Sequence, residues 1–416
     1  MPPNEDEPST PLPKGKVRML LSWMIWIAIV AFVMGGGFAY IGWRLITPMA
    51  LPGGWKAAAW TLVGALFFLP VFSMFFLRFA EGVGSWWSWF VYSSLGFLSF
   101  VVTLLVFRDL LLVGGNGIGW LLALFQPRGG GATDPARRLF LVQVSNLAVI
   151  GAAGALTAYG VYQARRKPGI VDLKIPIVNL PESFEGFRIV QITDIHAGLT
   201  VKRDWIETIA GQVEELRPDL IAFTGDLVDG SVSHLREDVA PLAQLQAPHG
   251  KFFVTGNHEY YSGAEPWVEE IDRMGYKVLM NEHRVISSNG ASMVLAGVTD
   301  YSGGTFLPHH QSDPAKAMEG APADMVKILM AHQPRSLYAA EPLGFDLILT
   351  GHTHGGQFFP WNLLATIGQP YIKGLHKRNG GWVYVSKGTG YWGPPVRLGA
   401  RSEITVFTLT RGAALS

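Results

Sequence analysis

Four long apolar runs lie in the first 165 residues, and they constrain the fold of this chain more than any other feature. Met19–Trp43, Ala57–Leu77, Trp86–Phe107 and Leu139–Tyr162 each approach the ~20 residues a helix needs to cross the hydrocarbon of a bilayer. In lipid the backbone must satisfy its own N–H and C=O groups, which leaves the helix as the form such a run can take. A soluble helix of this length shows a polar face at a 3.6-residue period. These runs show none, so they read as membrane spans rather than buried core helices. Between Val17 and Ala164 there are only eleven charged residues. Trp55, Trp86, Trp87 and Trp89 sit at run ends, where amphipathic rings favour the headgroup level. Met1–Lys16 is Pro-rich and charged and is expected to be a disordered tail. Asp109–Phe125 is apolar but broken by Gly114–Gly119. It could be a short fifth span, a re-entrant piece or an interfacial helix, so residues 17–166 are expected to hold four or five spans.

Arg137-Arg138-Leu139-Phe140-Leu141 stands directly before the last run. It has the form of a twin-arginine export signal, or of an arginine pair anchoring a helix at the cytoplasmic surface. Both readings put the pair in the cytoplasm and the following domain outside it. Arg165, Arg166 and Lys167 at the other end of the same run pull the opposite way. On balance the sequence favours an extracytoplasmic C-terminal domain.

That second half carries the chemistry. All eleven histidines lie after Ile195. The chain has no cysteine, which excludes disulfides, zinc–thiolate sites and cysteine nucleophiles. Lys and Arg balance Asp and Glu to a formal charge of +1, which argues against a nucleic-acid partner. From residue 187 short β-rich runs alternate with helical ones, as in an α/β domain with covered sheets. Residues 167–186 are expected to be a linker with a first strand, and 187–416 the domain itself.

The residues just past each strand are the informative ones. Phe187–Thr193 leads into Asp194-Ile195-His196. Leu220–Thr224 leads into Gly225-Asp226-Leu227-Val228-Asp229, and Lys251–Thr255 into Gly256-Asn257-His258-Glu259. Val326–Met330 is followed by Ala331-His332, and Leu347–Thr350 by Gly351-His352-Thr353-His354. Ligands of α/β sheets bind at the carboxyl ends of strands, and glycines there let the backbone turn and approach closely. Each block alone is weak; His332 by itself reads as a satisfied core histidine and Asn-His as a turn. Five strands in order, each ending in Asp, Asn or His, read as one site.

These blocks resemble the calcineurin-like metallophosphoesterases over most of Phe187–Thr410. Gly388–Arg397 (GTGYWGPPVR) is similar to a membrane-associated bacterial branch related to UDP-2,3-diacylglucosamine hydrolases. The resemblance implies a four-layer α/β/β/α sandwich behind an all-α transmembrane region. It implies two divalent ions, such as Mn, Fe or Zn. One would be held by Asp194, His196, Asp226 and His354, the other by Asp226, Asn257, His332 and His352, with Asp226 bridging. A hydroxide activated by the two metals would attack a phosphodiester or pyrophosphate bond, and His258 would protonate the leaving oxygen. Oxygen and nitrogen ligands without thiolate do not select one metal sharply. Asp229 and Glu259 are expected to orient loops and ligands, and Arg397 either to grip a phosphate or to lie at the surface. Thr305–Asp324, with His309 and His310, is expected to form a wall of the cleft.

Phe358–Leu364 (FFPWNLL) comes directly after the last ligand block. Such a run either packs on the sandwich or meets lipid, a partner or an acyl chain. With the apolar first half it suggests a lipid-linked, UDP-diacylglucosamine-like substrate in a bacterial inner membrane crossed several times. The alternatives are a soluble phosphoester, with the spans as anchor only, and a non-catalytic phosphate sensor. The intact set of candidate ligands disfavours the sensor.

Overall fold

The computed structural model of the protein describes residues 14–49, 51–76, 85–123 and 134–412. The expected disordered tail lies outside these residues apart from 14–16. The chain forms two units, residues 1–74 with 97–154 and residues 75–96 with 155–416.

The helical part contains α1 (Lys14–Ile41), α2 (Gly53–Phe76), α3 (Ser85–Ala123) and α4 (Pro135–Arg165). α3 runs without a break through Gly114–Gly119, so up to Ala123 the ambiguous segment continues the third run as one helix. Glycine costs a helix about 1 kcal/mol in water, but an apolar run without competing water tolerates it. Two helices among the described residues, Trp86–Gly115 and Pro135–Arg165, are long and apolar enough to cross a membrane. Inside the first unit Asp109 gathers the polar groups at the run ends. It accepts from Tyr40 Oη at 2.6 Å and pairs with Arg44 and Arg108, while Asn146 Nδ2 donates to the Arg44 carbonyl. Ionisable groups in such helices are costly unless paired in this way.

The second unit is built on two six-stranded sheets. The strands are β1 (Gly169–Val178), β2 (Arg188–Ile192), β3 (Leu220–Phe223), β4 (Lys251–Phe253), β5 (Lys277–Val278), β6 (Glu282–Ser288), β7 (Ala291–Gly297), β8 (Lys327–Met330), β9 (Leu347–Thr350), β10 (Gly374–Arg378), β11 (Gly381–Val385) and β12 (Glu403–Gly412). Their orders are β1-β12-β2-β3-β4-β5 and β10-β11-β9-β8-β7-β6. The domain begins earlier than residue 187. β1 pairs along its whole length with β12 in parallel, so the strand expected within residues 167–186 is an edge strand of the first sheet.

The central strands of each sheet are covered on both faces, and side-chain alternation assigns the layers. Ile189, Leu220, Ala222, Leu347 and Leu349 point between the sheets. Val190, Ile192, Ile221 and Phe223 point out under the helices Arg203–Glu215, Val232–Val239 and Ala264–Arg273. On the second sheet Leu329 and Ile348 face outward with Leu337 and Ala340. Strands buried on both faces read as continuous apolar runs, which is why these short stretches stand out in the sequence. The result is the four-layer α/β/β/α sandwich. β2, β3 and β4 are mutually parallel, as are β8 and β9.

Leu349, fully buried between the sheets, tests this packing. Leu349→Ala should cost about 2–5 kcal/mol, seen as a lower thermal midpoint of the purified protein. Glu319→Ala at the exposed surface should leave the midpoint unchanged.

Candidate metal centre

The five ligand blocks leave the carboxyl ends of β2, β3, β4, β8 and β9, and the sandwich brings them to one place. Three groups of Asp and His donors lie within 4.8 Å of one another: Asp194, His196 and His354; His196, Asp226 and His258; and Asp226, His332 and His352. His196 Nε2 stands 3.0 Å from His354 Nε2, and His354 Nε2 3.5 Å from Asp194 Oδ1. On the other side His332 Nε2 stands 3.2 Å from His352 Nδ1. Asp226 Oδ2 faces both groups, at 3.0 Å from His332 Nε2 and 3.7 Å from His196 Nε2.

The backbone is bent to make this possible. Asp194, His196, Asp226, His352 and His354 all have φ between 51° and 72°, the left-handed region that L-residues avoid. Such conformations cost of order 1–3 kcal/mol each and persist where the surroundings over-determine them. Close approach explains the glycines in the motifs. A Cβ on Gly256 would lie 2.2 Å from Asp226 Oδ1, and one on Gly351 2.3 Å from Asp194 Oδ2.

The residues fit a pair of cations. Asn257 Oδ1 is buried without a hydrogen-bond partner among the described residues, and a buried carboxamide oxygen is costly unless something positive meets it. The converging imidazole nitrogens and carboxylate oxygens suit borderline divalent metals.

Comparison with other proteins agrees with this geometry. Residues 187–356 match the model of the calcineurin-like phosphoesterases. A zebrafish protein described as a transmembrane protein with metallophosphoesterase domain is 40% identical over 262 residues, covering 61% of this chain and 60% of its own length. The cattle protein of the same description is 39% identical over 302 residues, covering 70% of this chain and 67% of its own. The chain belongs to the calcineurin-like phosphoesterase family. An uncharacterised metallophosphoesterase of Helicobacter pylori strain J99 is 36% identical over 283 residues, covering 66% of this chain and 73% of the relative. The chain thus spans three fifths of the zebrafish relative's length. Relatives described as transmembrane, together with the two apolar helices, point to membrane association.

A ring of further groups aims the candidate ligands. Asp229 Oδ1 accepts from His196 Nδ1 at 3.2 Å and from His258 Nδ1 at 2.5 Å. The Thr224 carbonyl accepts from His332 Nδ1 at 2.7 Å. Each contact leaves Nε2 of the imidazole turned inward, as metal-ligating histidines require. Glu259 takes the amides of Gly256, Asp226 and Leu227, so it pins two ligand loops to each other. The orienting roles expected for Asp229 and Glu259 correspond to these contacts.

Arg397 is neither at the surface nor free to grip a phosphate. It is fully buried, donates to the carbonyls of Gly390, Lys387, Ala400 and His354, and has Nη2 3.0 Å from His354 Nδ1. Burial lowers its pKa to about 10, so it stays charged at neutral pH. His309 and His310 lie apart from the donor groups; His310 Nδ1 meets Tyr260 Oη at 3.1 Å. Sequence reasoning assigned no role to Trp392 or Tyr261, whose rings pack edge-on against His258 at 5.4 and 5.1 Å. For Trp392 the signal was present in the GTGYWGPPVR stretch.

Charge is distributed unevenly across the protein groups of the site. Burial would raise the Asp226 carboxyl, yet His332 and His258 hold it well below the usual range. Burial opposes charge on His332, but Asp226 and Asp194 drive it well above an ordinary imidazole. Burial and then His332 push His352 down to about 3. His332 therefore keeps a proton at neutral pH that ligation must expel, whereas His352 has none to lose. Its raised pKa means the proton competes with metal below that pKa, and the competition weakens as pH rises. Metal affinity should accordingly tighten from pH 6 to pH 8 with proton release, read by calorimetry in buffers of different ionisation enthalpy. Asp229→Asn should weaken metal binding about 10–100-fold, the usual effect of removing a histidine's orienting partner, measured by equilibrium dialysis.

Proposed function

We propose that this chain hydrolyses a phosphodiester or pyrophosphate bond at two divalent ions. Asp194, His196, Asp226 and His354 hold one; Asp226, Asn257, His332 and His352 hold the other. The observation that carries the reading is Asp226 Oδ2 placed between the two histidine groups, with the orphaned Asn257 Oδ1 beside them. Ions bound there would lower the pKa of a water and relieve negative charge on the phosphoryl oxygens. Asp226 screens the repulsion between two neighbouring cations. Asn257 is a neutral oxygen donor and limits the negative charge of the site.

His258 is the general acid. Burial opposes its protonation, but Asp226 and Asp229 raise it to about 9, so it holds a proton at neutral pH. Nδ1 is tied to Asp229, which leaves Nε2 to protonate the departing oxygen. Fixing the ring in one orientation is worth more than the proton alone, because a misplaced acid cannot reach the leaving group.

The substrate is a lipid-linked phosphoester of the UDP-diacylglucosamine kind, met by a protein that crosses its membrane several times with the catalytic domain outside the cytoplasm. The apolar helices, the transmembrane description of the relatives and the exposed apolar residues after His354 support this reading. In detergent with Mn²⁺ the purified protein should release a phosphorylated product from such a lipid, identified by mass spectrometry. His258→Asn should lower kcat about 10²–10⁴-fold while two ions per chain remain bound. Asp226→Ala should lose both ions and activity; an Asp226→Ala protein as active as wild type would sink the proposal. Equal rates on water-soluble diesters, with no preference for lipid dispersions, would favour a soluble substrate.

A further inference from the structure

The stretch after the last ligand block does not pack on the sandwich. Phe358 is buried, but Phe359, Trp361, Leu363, Leu364 and Ile367 are between 41 and 72% exposed. The short helix Trp361–Ala365 buries none of its residues. The helix Leu337–Ala340, of similar length, sends Leu337 and Ala340 into the core. Five large apolar groups within nine residues, with no core beneath them, form the kind of patch that marks an interaction surface.

The neighbours of this knob say what covers it. Gln357, two residues before it, donates from Nε2 to the carbonyls of Trp392 and Pro394 at 2.9 and 3.0 Å. It also accepts from Trp392 N at Oε1 and from Leu398 N at its backbone oxygen. The knob is thus tied to the strap 392–398. Trp392 is itself 46% exposed. The strap in turn lies against the two apolar helices. Val396 fills notches at Gly96 and Gly160, where a Cβ would come within 2.9 and 2.5 Å of its methyls. Arg397 N donates to the Gly160 carbonyl at 3.0 Å.

Gly96 and Gly160 fall inside the stretches long enough to cross a membrane, 86–115 and 135–165. Gly160 precedes Arg165, the last residue of its helix, by about 8 Å of helical rise. An apolar face seated at the boundary of headgroups and acyl chains sinks about 5–10 Å. Gly96 and Gly160 belong to the same unit as the strap, so a bilayer that took in these two helix ends would reach the strap and the knob tied to it. Arg335, which donates to the Gly368 carbonyl just past Ile367, places a cation beside the patch, where lipid phosphates would lie.

We propose that Phe359–Ile367 and Trp392 form a docking face that seats the catalytic unit in the interfacial layer of the bilayer its own helices enter. One consequence rests on the hydrolase reading. Because Trp392 packs against His258, the metal centre opens beside the lipid headgroups, and a phosphoester held by acyl chains reaches it without leaving the membrane.

The chain has no cysteine, so single labels are unique. Spin labels on Leu364→Cys and Ile367→Cys, both exposed and replaceable without touching the core, are compared with one on Glu319→Cys. The full protein sits in nanodiscs of phosphatidylcholine with one quarter phosphatidylglycerol. At 364 and 367 the proposal expects high oxygen accessibility with protection from a water-soluble nickel chelate, and the reverse at 319. Water-like accessibility at all three sites overturns it. So does protection from both reagents, which means that protein covers the patch. Leu363→Asp/Leu364→Asp should abolish the protection at 367. The labels report position and not turnover. A docked protein without phosphoesterase activity upholds the docking and sinks the hydrolase reading, and an active protein with water-like labels does the opposite.

Discussion

Everything in the second unit turns on one buried carboxylate. Asp226 sits with one oxygen on the amide of His258 and the other between two clusters of imidazoles. A buried charge of this kind is tolerable only when surrounded by partners. Here the partners are His332 and His258, which hold its carboxyl well below the usual range, and, on the proposed reading, two cations. The left-handed backbone at Asp194, His196, Asp226, His352 and His354 is a consequence. Side chains from five strands can converge on one place only if the chain turns sharply as each strand ends.

The sandwich exists to hold those turns still. Parallel strands end at the same edge, and sheets buried on both faces cannot shift without exposing apolar surface. Glu259 and Asp229 then convert a rigid edge into aimed side chains, the first by binding amides from two loops, the second by fixing two imidazoles with one oxygen. Arg397 continues this inward support. Its guanidinium is spent on four carbonyls and a neighbouring imidazole, so its charge props a loop.

The same arginine's backbone reaches the helical hairpin. Arg397 N meets Gly160, and Val396 occupies the notches of Gly96 and Gly160. One short strap therefore touches a candidate ligand, His354, and two helices apolar enough to enter a bilayer.

Local chemistry made much of this legible in the sequence. A strand buried on both faces writes itself as an apolar run, and a donor placed at its end writes itself within the next residue or two, so Asp194, Asp226, Asn257, His332 and His352 could be read with their strands. The helical nature of the first half was legible for the same reason, since a long apolar run has no other stable form in lipid. What depended on distant partners was not legible. The partner of β1 was not legible because its pairing strand, β12, lies more than two hundred residues away. Gly114–Gly119 looked like a break because composition does not reveal that α3 continues through it. Arg397 looked like a surface or phosphate-binding residue because its acceptors are backbone carbonyls, which no side-chain pattern records. The sequence by itself determined which atoms could hold metal and which segments avoid water. Only the tertiary structure decided that Asp226 faces both histidine groups and that the Phe359–Ile367 knob stays uncovered, because both depend on how separate strands and loops meet in space.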